Sequence, residues 1–395
     1  MPNRDIEQAF VDLFAWCRER DFAGDDPFDG LNSRLFQASP FKNSRTARLV
    51  WTQLFKRSPV NLRSVTGVAP ERNAKGVALF ALASLARYRT LKTKEAEVEA
   101  RELLDDLMAM RLTGFSGAAW GYHFDWQGRA FFAPRGTPTI VPTAFAARAL
   151  VEGTESFGNE DYLPFARTIC DFILNDLNRS HETSDEVCFS YSPLDQTRVF
   201  NASLLAGETL ASVGKLSNEP SLGEWATRAA RYVARRQRKD GSWAYGADDY
   251  QSWADNFHTA FILTSLSRII ENCDSAREEF GPALMRGYEY WRERFFLSNG
   301  WPKYFPNRLY PADAHSAGAA IVGLLGLRGQ VPDTVVVAEQ IARWTIENLR
   351  SPRGYFHYQR QRFYTNRIAY MRWSEAWLSY GLARLIEAKQ ITGSL

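Results

Sequence analysis

An internal repeat of 55 to 59 residues constrains what this chain can fold into more than any other feature. Five segments share one order: a helical run, a turn rich in Gly and aromatic residues, a loop, then a helix rich in small residues. The turns are Trp120-Gly121-Tyr122-His123, Phe189-Ser190-Tyr191, Gly241-Ser242-Trp243-Ala244-Tyr245, Gly300-Trp301-Pro302-Lys303-Tyr304 and Gly354-Tyr355-Phe356-His357-Tyr358. The helices that follow begin near Thr143, Asn201, Asn256, His315 and Trp373. Lys75 to Tyr88 is the same element one unit upstream, with a longer loop between Phe124 and Pro142. A unit of this size cannot bury its apolar side alone and must stack on its neighbours.

The second helix of each unit carries a stripe of small residues, such as Ala144, Ala147 and Ala149, or Ala317, Gly318, Ala319 and Gly323. Such helices suit close packing on both sides, in an inner ring. The preceding helices, such as Glu224 to Arg236, are amphipathic with one charged side and suit an outer ring. Strand signals are nearly absent; the β-branched run Thr334 to Val337 leads into a helix from Ala338 to Leu349. The expected fold is all-α, an (α/α)6 toroid of helical hairpins over residues 61–395, with residues 1–60 forming a helix and an irregular loop packed on the barrel. An open solenoid is the alternative. If every outer-to-inner loop emerges at one end, six inner-helix N-termini converge there with their unpaired N–H groups and partial positive charge. Phe22 to Pro40, rich in Asp, Gly, Pro and Ser, is expected to cross that mouth with Asp26 and Asp29 near the site.

Composition narrows the function classes. The 395 residues carry a formal net charge of only +3, which gives no case for nucleic acid as the partner. Aromatic residues make up 14% of the chain, fitting either a large core or a cleft where sugar rings stack. Cys17, Cys170, Cys188 and Cys273 form no C-x-x-C pair, which argues against a zinc site or disulfide framework and for a reducing compartment. Met1 to Trp16 reads as an amphipathic helix and not a signal peptide, and no stretch approaches 18 uncharged apolar residues. The expectation is a cytoplasmic protein with no membrane span. There is no Walker A loop and no G-x-G-x-x-G, so no nucleotide cofactor is expected, and no metal-ligand spacing stands out, so no metal is expected.

Two resemblances add to this. Arg228-Ala229, Tyr232-Val233, Gln237 and Gly241-Ser242-Trp243 resemble the QW motif of squalene and oxidosqualene cyclases, where Gln and Trp brace the end of an outer helix against the next inner helix. The D-x-D-D and D-D-x-x-D motifs of isoprenoid chemistry are missing. Asp26-Pro27-Phe28-Asp29-Gly30-Leu31, Asn61-Leu62-Arg63, Asn73-Ala74-Lys75-Gly76, Trp120-Gly121-Tyr122 and Asp255-Asn256-Phe257-His258-Thr259 resemble a bacterial family found with capsular and exopolysaccharide biosynthesis. That family is similar to the C-terminal part of D-glucuronyl C5-epimerases. The resemblance implies work on a cell-surface polysaccharide or its precursor, alongside other polysaccharide-assembly proteins.

The candidate residues cluster where loops meet inner helices. Asp255 and His258, three apart at a helix start, can form an acid–base pair or can cap the helix and pack in the core, with Asn256 and Tyr245 alongside. His123 and Asp125 alternate with Trp120, Tyr122 and other aromatic residues, reading as a sugar platform with a carboxylate or as a turn wedged between helices. Asp313 and His315 open the fifth inner helix, near Trp301 and Tyr304. Tyr191, Arg198 and Asn201 occupy the matching place in the third unit, and Trp243 in the fourth. The last unit supplies Tyr358, Arg367, Arg372, Trp373 and a possible acid or base, Glu375; converging Arg residues suit a carboxylate-bearing sugar or a solvated basic loop.

Proton abstraction at a uronate, in epimerase or lyase chemistry, needs a base, a second proton carrier and a cation near the carboxylate, which His, Tyr and Arg supply. Glycoside hydrolysis needs two carboxylates, available among Asp125, Asp255, Asp313 and Glu375. An isoprenoid cyclase would need an apolar pocket with an aspartate at its base. A non-catalytic glycan-binding protein would need none of these groups for chemistry.

Overall fold

The computed structural model describes residues 2–128, 131–158 and 162–393. The described chain opens with α1 (Pro2–Arg18), then crosses a long segment holding two short helices, α2 (Arg34–Ala38) and α4 (Arg63–Thr66), with the 13-residue α3 (Arg45–Arg57) between them. Eleven further α-helices follow among the described residues: α5 (Ala74–Leu91), α6 (Lys94–Ala109), α7 (Ile140–Phe157), α8 (Tyr162–Asn175), α9 (Phe200–Leu216), α10 (Pro220–Ala234), α11 (Asn256–Asn272), α12 (Ala276–Phe295), α13 (Ala314–Gly326), α14 (Thr334–Leu349) and α15 (Ala376–Gly393). A π-helical turn, Met371–Glu375, leads into the last of these. The β-branched run at Thr334 begins α14 directly instead of preceding it.

The odd-numbered helices α5 to α15 form the inner ring. Each packs on the next, and α15 packs on α5, so the ring closes. Their sequences allow this. From Ala74 to Ala86 every residue of α5 is buried, and α9 is buried from Phe200 to Gly214. A helix apolar all round can be stable only when covered on every side. The even-numbered helices α6 to α14 form the outer layer, each packed chiefly on the inner helix that precedes it. Their buried residues follow helical periodicity, as in Leu222, Ala226, Ala229 and Val233 of α10.

The sixth outer place, against α15 and α14, is filled from the opposite end of the chain by α1. The turn glycines show the equivalence. Gly300 follows α12 with φ 85°, and a Cβ there would lie 2.2 Å from Gln340 O of the next outer helix, α14. Gly354 follows α14 with φ 94°, and its Cβ would lie 3.0 Å from Asp12 O of α1. Only glycine tolerates that conformation together with that approach. Residues 2–18 therefore occupy the sixth outer place, and 19–73 run from there to α5 as the sixth outer-to-inner connection, the segment termed the lid below. The centre of the other long loop, at residues 129–130, lies outside the described residues.

The segment resembling a QW motif braces differently from expectation. Gln237 donates from Nε2 to Ala283 O (2.9 Å) of the next outer helix, α12, and Trp243 Nε1 donates to Val233 O (2.9 Å) of its own outer helix. Among the described residues no helix is long and apolar enough to cross a membrane.

Ion pairs tie the ring together at the end opposite the lid. Arg148 of α7 makes a bidentate pair with Glu208 of α9 (2.8 Å for both bonds). Glu152 of α7 meets Arg89 of α5 (3.3 Å), Arg268 of α11 (3.1 Å) and Arg384 of α15 (3.6 Å). Burial pushes the Glu152 carboxyl up, but the three guanidinium groups outweigh it and hold the group at about 2. A carboxylate held below its ordinary value stabilises the fold above pH 4.5, and that contribution fades as pH falls toward 2. Glu152→Gln should lower stability at neutral pH by about 3 kcal/mol. Denaturant titrations should show wild type and variant converging between pH 5 and 2; a constant gap across that range would contradict this role.

Candidate active site

The six inner helices place one side chain each at the same position of the first turn. The residues at their N-terminal boundaries are Asn73, Thr139, Val199, Asp255, Asp313 and, for the π-helical turn, Tyr370. Two residues further on stand Lys75, Val141, Asn201, Phe257, His315 and Arg372, and all six line one cavity of about 850 Å³. The loops complete its walls with Tyr122, Tyr191, Tyr245, Trp253 and Tyr304. The lid adds Phe28 and, from α3, Lys56 and Arg57. The exposed rim includes Arg57 and Arg308, while the floor is buried: Lys75 is 2%, His315 1% and Asn201 2% exposed.

Asp255 caps α11 by accepting from His258 N (3.0 Å), and its other oxygen meets His258 Nδ1 at 2.7 Å. Trp253 Nε1 also donates to that oxygen (3.3 Å). One carboxylate thus both caps the helix and orients the imidazole, leaving Nε2 for a ligand. Tyr245 stands edge-on to the His258 ring at 4.6 Å and is stacked on Trp253 at 4.8 Å. Across the cavity Tyr122 stacks on Phe124 (5.1 Å) and its hydroxyl meets that of Tyr191 (3.2 Å). Both stacks present flat rings of the kind that pack on sugar faces.

The lid is fastened to the site by charge. Arg372 donates from Nε and Nη2 to the two oxygens of Asp26 (2.5 and 2.7 Å), and both residues are buried. Arg63 donates to Asp29 (2.6 Å) and to Tyr370 Oη (3.2 Å). Asp26 and Asp29 are therefore lid anchors beside the site. Lys56 projects from α3 over Phe28 (4.5 Å to the ring centre). Burial lowers its pKa, partly countered by Asp313 and Asp255.

Of the sequence candidates, Tyr122, Tyr191, Asn201, Tyr245, Tyr304, Asp255, His258, His315, Arg372 and Trp373 meet at this cavity. The rest do not line it. Trp120, Trp243 and Trp301 are wedges whose indole N–H groups donate to the carbonyls of Leu107, Val233 and Leu309. Asn256 is consumed by Lys303 O and Trp291 Nε1, Asp313 by the α13 cap and Gln359, and Tyr358 packs on Tyr370. Arg198 pairs with Asp248, and Arg367 is exposed. His123 lies behind the wall against Asn73 (2.8 Å), where burial lowers its pKa to about 4. Asp125 accepts from Arg135 N (2.7 Å). Glu375 is buried behind the ring, where desolvation raises its pKa well above the carboxylate range while Phe356 N–H donates to it (2.9 Å).

Sequence reasoning gave no role to Lys75, Lys56 or Phe257. A partial signal for Lys75 was present: a lysine two residues after a capping Asn, in a run otherwise apolar from Ala74 to Ala83. Among the described residues no three His, Cys, Asp or Glu side chains are grouped to hold a metal ion.

No protein-family model matches the sequence, and no curated protein matches it. Solved structures do match in fold. A sugar epimerase from a ruminal bacterium superposes with a TM-score of 0.63 at 10% identity, over 82% of this chain and 90% of that one. The cellobiose 2-epimerase of Bacillus thermoamylovorans gives 0.60 at 13%, over 80% and 88%. The GH76 α-mannanase of Bacteroides thetaiotaomicron gives 0.61 at 12%, over 83% and 90%. At these identities the likeness establishes the α/α toroid.

Removing the charge of Asp26 leaves a buried guanidinium without its partner, at a cost of about 3–5 kcal/mol. Asp26→Asn should therefore speed backbone hydrogen exchange across residues 23–66 while the inner helices stay protected. Uniform loosening of the whole chain would show that the pair serves global stability instead of lid closure.

Proposed function

We propose that this chain is a carbohydrate-active enzyme acting on an acidic, uronate-containing glycan by proton abstraction next to the carboxylate, in epimerase or lyase chemistry. One observation carries this reading. The cavity is walled with aromatic rings and lined by five cationic side chains, Lys56, Arg57, Lys75, Arg308 and Arg372, against a single carboxylate, Asp255, which is already committed to His258. Inner-helix N-termini add positive potential at the same place. Such a chamber favours an anionic ligand with flat apolar faces.

In this reading His258 Nε2 takes the proton from the carbon beside the carboxylate. Asp255 holds the ring by Nδ1 and stabilises the imidazolium. Negative charge then develops on the substrate carboxylate, where the cations lower its energy. Tyr245, whose ring stands edge-on against His258, is the second proton carrier in elimination, where it protonates the leaving oxygen on the same side; in epimerisation the returning proton comes from a group of the opposite wall.

Hydrolysis by two carboxylates is supported less well, because Asp125, Asp313 and Glu375 do not line the cavity. A carbocation-forming isoprenoid reaction is disfavoured by the cations of the floor, which would repel its intermediate. The named activities of the structural neighbours, sugar epimerases and a mannanase among them, support carbohydrate as the substrate class. The four cysteines are unpaired, supporting a reducing compartment. The biological setting we propose is the assembly of a cell-surface polysaccharide.

The test is incubation with uronate polymers in heavy water, followed by NMR. Wild type should place deuterium at C5, with an unsaturated sugar if elimination follows. His258→Ala should lose at least about 100-fold in rate. Asp255→Asn should lose activity but not stability, because Asn also caps helices. New reducing ends without deuterium would identify a hydrolase, and an unaltered glycan that still binds would identify a binding protein; either result overturns the proposal.

A further inference from the structure

Three polar side chains at the floor of the cavity carry atoms without a hydrogen-bond partner in the protein. Lys75 Nζ lies over the rings of Phe145 (4.8 Å), Trp377 (5.1 Å) and Phe261 (5.2 Å) and forms no hydrogen bond or ion pair among the described residues. Both ring nitrogens of His315 are without partners, although the ring is packed by Trp373 (4.1 Å), Phe257 (4.5 Å) and Trp377 (5.1 Å). Asn201 Oδ1 is likewise unpaired. Buried polar groups are almost always hydrogen-bonded, and an unpaired buried cation is costlier still. The three come from α5, α13 and α9, separate walls of the ring, at the equivalent first-turn position, and all line the cavity.

We propose that this floor is a carboxylate-binding subsite for a sugar acid, in which the ligand supplies the anion that Lys75 lacks. Lys75 Nζ donates to the carboxylate, His315 donates from one nitrogen to the carboxylate or a neighbouring hydroxyl, and Asn201 Oδ1 accepts from a hydroxyl. The set discriminates twice, for negative charge and for a hydroxyl donor beside it, which describes a uronate better than a simple anion. The proposal rests on the acidic-glycan reading for the identity of the ligand, and not on the reaction.

A consequence follows for protons. The groups around Lys75 are Arg372 of the π-helical turn, Arg148 of α7, Asp26 of the lid and His315 of α13, with His258 of α11 facing His315. Burial first, then Arg372 and Arg148, hold the lysine well below its ordinary range, with Asp26 opposing. Burial at the floor therefore works against the ammonium, and a carboxylate placed beside it favours the ammonium, so binding of the anion and protonation of Lys75 support one another.

Calorimetry of the full chain at pH 8, in buffers of different ionisation enthalpy, tests this with D-glucuronate, D-glucose and glucose 6-phosphate. Glucuronate should bind at least about tenfold tighter than glucose, with net uptake of protons on binding. Lys75→Met should bring glucuronate down to the affinity of glucose and abolish the uptake. Its Tm should equal or exceed that of wild type, since the variant removes an unpaired buried amine. Undetectable glucuronate binding, a preference for the phosphate, or selectivity and uptake that survive in Lys75→Met would each overturn the subsite. The two proposals fail separately. If glucuronate binds as described but polymers gain no deuterium, the reaction falls and the subsite stands. If deuterium enters at wild-type rate in Lys75→Met, the subsite falls and the reaction stands.

Discussion

The seam between α5 and α15 is the constraint on which the rest depends. These helices lie at opposite ends of the sequence, and their contact converts a stack of hairpins into a ring. Closure fixes everything above it. Each inner helix can bury its whole circumference only if neighbours stand on both sides, and the first and last have such neighbours only through the seam. The α1 helix then completes the outer layer behind α15, so that the chain overlaps itself at the joint. At the base, Arg89 of α5 reaches Glu387 of α15 (2.5 Å) and ties the same seam by charge.

Closure also explains the chemistry of the mouth. In an open stack, Lys75 and His258 would face different solvent. In a ring of six, α5 and α11 are opposite, and their first turns look at one another across a cavity. Concentrating Lys56, Lys75 and Arg372 there opposes stability, because like charges repel and burial strips them of water. One cation is satisfied within the protein, Arg372 by Asp26 of the lid. Lys75 is not. A buried amine without a hydrogen-bond partner opposes stability, and local rules of this kind are most often broken at functional sites.

The repeat made the fold legible because its period reports the packing unit directly. The starts of the inner helices, at Asn201, Asn256 and His315, could be read within a residue or two. The pairing of Asp255 with His258 was legible for a similar reason, since three-residue spacing at a helix start places both on one side. Direction within the loops was not legible. Trp120 looked like part of a sugar platform and Trp243 like a substrate contact, but each turns its indole into the gap behind the ring and bonds to its own outer helix. Glu375 sits three residues from Arg372, yet the π-helical turn sends one into the cavity and the other behind it. Lys75 escaped notice because its isolation, the property that matters, exists only after the ring has closed around it. The role of α1 was hidden because an outer helix supplied from the other terminus breaks the order of the repeat.

A crystal structure of the chain with D-glucuronate bound tests the central claim most directly, namely that ring closure gathers six first-turn residues around one ligand. The account predicts α5 packed along α15, the sugar inside the ring, and its carboxylate within hydrogen-bonding distance of Lys75 Nζ. An open seam, or a sugar held outside the ring, would contradict it.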